Sequence, residues 1–183
     1  MQPLPPKDHA HPKVRIERAC AVFGHRAVAL WCADLLAERP VGAGSPSIEW
    51  LGDGDWPTYW YRVWGARGLL YVWDGEVQPD VVAALRDPQW RVREMAAKVV
   101  RAQRLTEAAD AVAAVADDRV ERVRSAALRA LAVVGEPAHL AAMTRAKRDD
   151  AVEVRRAAER AIHRLDQRLT RRSSRLAKTT RLS

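Results

Sequence analysis

Phenylalanine occurs once in this 183-residue chain, tyrosine three times and cysteine twice, and β-branched residues seldom run together. With Ala and Arg abundant, that scarcity marks a helical composition, long enough for one domain with a proper core and short for two. Cys20 and Cys32 make neither a metal site nor a CxxC redox pair. On one continuous helix they would stand about 18 Å apart, out of disulfide range. A reversal at Gly24 would bring them closer, but free core thiols are the expectation. GxSxG, HExxH, a P-loop and GxGxxG are all missing, and His9, His11, His25, His139 and His163 are scattered without ligand spacing. The chain is therefore expected to be no enzyme and to hold no cofactor or metal. No apolar run approaches the roughly 20 residues of a membrane helix, and the opening MQPLPPKDHAHPK has no apolar signal region. A cytoplasmic protein without membrane contact is expected.

Acidic residues are also in deficit, and unevenly so. The net charge is +8. Residues 1–79 carry 8 basic and 9 acidic groups, residues 80–165 carry 17 and 13, and residues 166–183 carry 6 and 1. The excess sits in the second half and is densest at the end.

What the chain does have is repetition. Asp87 to Val100 reads DPQWRVREMAAKVV, Asp118 to Leu131 reads DRVERVRSAALRAL, and Asp149 to Ile162 reads DDAVEVRRAAERAI. Asp87, Asp118 and Asp149 are each 31 residues apart, as are Val92, Val123 and Val154, and Arg93, Arg124 and Arg155. A fixed period of that size marks a solenoid, in which each unit buries its apolar face against the next. Val92, Ala96, Val99 and Val100 share one helical face, as do Val123, Ala127, Ala130 and Leu131, and small Ala lets neighbouring helices approach closely.

The remaining segments fall around these units. Residues 1–13, rich in Pro, form a disordered lead-in. Residues 14–79 form a divergent helical cap: Val14 to Arg39 is helical, divisible at Gly24, and residues 41–57 form a long Gly-, Ser- and Pro-rich loop, either functional or a packing cover. Thr58 to Trp73 is a helix closing at Asp74-Gly75, with Val63 matched to Val123 through their equal distance from Gly75 and Gly135. Residues 80–166 hold the clear repeats, with companion helices at Val77 to Leu85, Asp110 to Ala116 and Ala138 to Arg145. Residues 167–183 are a basic tail, helical for one or two turns past Leu165 and then disordered.

The frame D-x4-VR-x2-A-x3-L/I/V resembles HEAT repeats, in particular the short type of phycobilisome lyase subunits. The resemblance is specific for about 80–165, partial for 58–79 and weak for 14–57. It implies an all-α solenoid of antiparallel helix pairs presenting a long surface to a partner. It also implies that Asp87, Arg93, Asp118, Arg124, Asp149 and Arg155 form a structural ladder between repeat turns rather than a ligand site. The family spans scaffolds, regulatory subunits, lyase chaperones and a group of DNA glycosylases, so the fold leaves the task open.

Three features bear on function. Lys98, Arg129 and Arg160 repeat in register about 240° round the helix from Val92. Arg91 and Arg122 flank one side of them, Arg101 and His163 the other, and Arg156 precedes Arg160 by one turn. Stacked, they form a basic stripe suited to phosphates or an acidic protein surface, unless Glu94, Glu121, Glu153 and Glu159 merely balance a solvated face. Six of the seven Trp lie between Trp50 and Trp90. Trp56, Trp60, Trp64, Trp73 and Trp90 are expected to cap the end of the solenoid, with a stacking platform or docking hot spot as the alternative. The tail, with Arg168, Arg171, Arg172, Arg175, Lys178 and Arg181, adds salt-sensitive attraction or only solubility. The favoured reading is a monomeric protein-docking scaffold. A nucleic-acid binder using stripe and tail is the alternative. A glycosylase with Asp53 or Asp55 between Trp50 and Trp56 comes third.

Overall fold

The computed structural model describes residues 10–52 and 57–180, with side chains as far as residue 174. Every regular element among these residues is helical, and the chain divides into two compact units at Gln103/Arg104.

In the first unit, α1 (Pro12–Phe23) and α2 (His25–Leu36) are separate helices in contact, split at Gly24 as expected. Gly24 has φ +88°, a conformation that a side chain disfavours, and its N–H closes α1 on the Cys20 carbonyl. Cys20 and Cys32 are free, buried thiols, and burial pushes both above the ordinary thiol range. α2 packs closely on α3 (Tyr59–Gly68), because Gly65 and Gly68 leave room for it. A Cβ on Gly65 would lie 2.4 Å from the Cys32 carbonyl oxygen, and one on Gly68 would lie 2.4 Å from the Cys32 sulfur. α3 stops five residues before Trp73, so the expected closure at Asp74-Gly75 is not met. Asp74 instead accepts a hydrogen bond from the Glu76 N–H and caps the next helical turn, the N-terminal role its short carboxylate favours. That turn leads into α4 (Gln78–Ala84), which packs with α5 (Trp90–Gln103).

In the second unit, α6 (Ala109–Ala114), α7 (Glu121–Val134), α8 (Leu140–Arg145) and α9 (Val152–Thr180) form alternating short and long helices. Single 3-10 turns lead into α6 and α8 and follow them, so the companion helices are shorter than a 3.6-residue rhythm suggests. Val123, Ala127, Ala130 and Leu131 of α7 and Val154, Ala158 and Ala161 of α9 are fully buried where the two helices pack. Val92, Ala96, Val99 and Val100 hold the same place on α5. α9 does not end where the apolar rhythm thins but continues as helix to Thr180, where disorder was expected. Its residues after Leu165 are mostly good helix formers, and Arg168 ties the helix to α7.

Candidate interaction surface

The repeated Asp and Arg make the same contacts three times. Each Asp accepts a hydrogen bond from the N–H two residues on: Asp87 from Gln89, Asp118 from Val120 and Asp149 from Ala151, at 2.7–2.9 Å. Each Arg turns back onto the carbonyls of its own loop, Arg93 on Asp87 and Pro88, Arg124 on Asp118 and Arg119, Arg155 on Asp149 and Asp150. Arg124 then reaches the carboxylate of the next repeat with Nε and Nη2 at 2.6 and 2.8 Å from Asp149. That fork holds the Asp149 carboxyl below its usual range and raises Arg124. Arg62 stands at the same 25-residue distance from Asp87 as Arg124 from Asp149, and its Nε lies 3.0 Å from Asp87. It also pairs with Glu38. Arg62 is thus the corresponding arginine of the unit before Arg93. Matching Val63 to Val123 hid it, although it stands 31 residues before Arg93.

The basic positions have unequal surroundings. Lys98 is half-buried and paired with Glu94 at 2.9 Å. Arg129 is exposed on α7 and reaches Glu153 of α9 at 3.5 Å, and Arg156 meets the same carboxylate at 3.1 Å. His163 bonds Gln167. Arg101, Arg122 and Arg160 are exposed. Arg91 lies over the rings of Trp90 and Trp60, 4.4 and 5.5 Å from their centroids, a cation–π arrangement rather than a free charge. In the second unit α7 and α9 pack side by side, so Arg129 and Arg160 do lie on neighbouring helices.

Among the aromatics, the buried ones are Trp31 and Trp50, with Phe23 set edge-on against Trp50. Trp60, Trp64, Trp73 and Trp90 are half-buried, Tyr59 stacks on Trp60, and Arg67 covers Trp64. Trp56, Asp53 and Asp55 lie outside the described residues, as do the side chains of Arg175 and Lys178 and all of Arg181.

Two fixed polar groups were not singled out by sequence. His139 is buried, and its Nδ1 accepts the Glu136 N–H, which places the ring proton on Nε2, 2.8 Å from Asp110. Arg168, counted with the tail, donates to the Val133 and Gly135 carbonyls at the C-terminal end of α7. A groove of about 420 Å³ is lined by Leu140, Ile162, Leu165 and Leu169 together with Lys147, Glu159, His163 and Asp166. The described residues contain no His/Cys/Asp/Glu group able to hold a metal ion and no helix long and apolar enough to cross a membrane.

Stacked helix pairs in a 31-residue repeat, each turn clamped by its own Asp and Arg, define an α-solenoid. The family model for HEAT repeats matches residues 48–132 and 78–163, more than half of the chain, and the chain belongs to that family. The match is to HEAT repeats at large and does not single out the phycobilisome-lyase type. No curated protein sequence matches significantly.

Proposed function

We propose that this chain is a non-enzymatic docking module, a cytoplasmic monomer that receives a protein partner on the exposed faces of its longer helices. The observation supporting this is a division of labour among the arginines of each repeat. Arg124 and Arg155 turn inward onto loop carbonyls, while Arg129 and Arg160, five residues further on in the same repeats, stay exposed on the packed pair α7 and α9. HEAT repeats commonly serve as protein-interaction scaffolds, and a charge repeated in register on adjacent helices suits one extended partner. Lys98 takes the equivalent place on α5 in the first unit. Affinity co-purification with chemical cross-linking, run on the wild type and on Arg129→Glu/Arg160→Glu, tests the reading. A partner lost by the double variant at unchanged melting temperature supports it. A partner set identical for both proteins counts against it.

A further inference from the structure

α9 carries its cations along a spiral row that turns about 40° round the helix at each step. Arg156, Arg160, Arg164, Arg168 and Arg172 follow one another at four-residue intervals, each about 6 Å further along the axis. Such a row is the natural ridge of a helix surface. Like charges at i and i+4 repel, so four successive arginine steps work against the helix that holds them. Arg156 is offset by Glu153, and Arg168 is engaged with the Val133 and Gly135 carbonyls. Arg160, Arg164 and Arg172 are exposed and have no acidic partner among the described residues. The acids that would offset them sit elsewhere on α9: Glu159 and Asp166 line the apolar groove on the other flank. A helix whose charges are segregated in this way has unfavourable contacts along one ridge that its own chain does not relieve.

We propose that the ridge Arg156, Arg160 and Arg164, which spans about 80° of the surface of α9, docks an acidic helix of the protein partner, one presenting carboxylates at four-residue spacing. This rests on the docking reading above and adds the partner's chemistry. Two helices whose four-residue ridges interdigitate bring matching 6 Å intervals together, so each guanidinium meets one carboxylate (about 6 Å per step). A narrow acidic stripe stays on the ridge and clear of Glu159 and Asp166. A nucleic-acid duplex carries one charge per about 1.7 Å of its axis, a spacing with no match to the roughly 6 Å interval of the arginines.

The test uses the full chain and fluorescence anisotropy at physiological salt, where exposed charges are largely screened beyond contact range. The probes are an Ala-rich helical peptide with Glu at every fourth position, a peptide of the same composition with Glu shuffled off that spacing, and a short DNA duplex. The spaced peptide should bind best, and Arg160→Gln/Arg164→Gln should weaken it about tenfold, the worth of two exposed charge pairs. Gln matches Arg closely in helix propensity, so the same variant should melt at or above the wild-type temperature. A lower melting temperature would assign these arginines to the fold and overturn the proposal. Equal binding of the shuffled peptide or the duplex would overturn it too, by showing general attraction to anions. If neither peptide binds while Arg129→Glu/Arg160→Glu still loses its co-purified partner, the docking reading stands and the acidic helix falls.

Discussion

Arg124 has a small exposed fraction and four hydrogen bonds, two to Asp149 and two to loop carbonyls, so its loss leaves a half-buried carboxylate without its counter-charge. Arg124→Ala should destabilise the protein by about 1.5–3 kcal/mol in urea unfolding, the range for hydrogen bonds to charged groups. The pair also sets a pH signature. Asp149 titrates below its ordinary value because Arg124 bonds its charged form, so its contribution is present above the unfolded-state value and is lost as pH falls through the lower, folded one. The stability gap between wild type and Arg124→Ala should therefore be widest above pH ~5 and narrow steadily below pH ~4, the unperturbed Asp range. A gap independent of pH would mean that the fork to Asp149 adds nothing. The corresponding change in the first unit, Arg62→Ala, should also destabilise, since Asp87 loses the cation 3.0 Å away. Equal melts for Arg62→Ala and the wild type would sink the assignment of Arg62 to this series.

Between α2 and α3, close approach rests on glycine. Gly65→Ala drives a methyl into the Cys32 carbonyl and the Leu36 N–H, backbone atoms of α2 that cannot swing aside. A loss of about 1–3 kcal/mol is expected, as for overpacked cores, despite the better helix propensity of Ala. If Gly65→Ala proves neutral or stabilising, α2 and α3 are free to move apart. At the end of α7, Arg168→Ala releases the bonded carbonyls of Val133 and Gly135 and should cost about 1.5–3 kcal/mol. An unchanged melt would return Arg168 to the tail. These two contacts mark where the sequence stops being readable. The 31-residue register of Val92, Val123 and Val154 exposed the repeats and the buried face, because one helix period and one small-residue pattern recur. Gly24 announced the break between α1 and α2 for a similar reason, a local φ that only glycine takes easily. Arg168 and Arg62 act through partners 33 to 35 and 25 residues away, and nothing local separates a guanidinium that caps a carbonyl from one in water. The tryptophans failed likewise: Trp50 and Trp60 look alike in sequence, yet one is 4% exposed and the other half-buried, as packing against residues distant in the chain decides.

In a stack whose units touch only their neighbours, stability is close to a sum of local terms. The atoms nearest a Cβ added at Gly65 belong to α2, and Arg168 bonds carbonyls at the end of α7, so the two substitutions act on different partners. Substitutions without shared partners add, whereas those joined through a common core or a concerted rearrangement do not. The double variant Gly65→Ala/Arg168→Ala should therefore lose the sum of the two single losses to within about 0.5 kcal/mol in urea unfolding. The same additivity bears on docking. If local terms add, neutralising the arginine ridge of α9 changes the surface of that helix and leaves the first unit as it was, so a loss of partner reports on contact rather than on collapse. A coupling energy above about 1 kcal/mol between Gly65 and Arg168 would show that a change in one unit alters the other. Surface variants of α9 would then have to be judged by the stability of the whole chain before any loss of binding was assigned to the ridge.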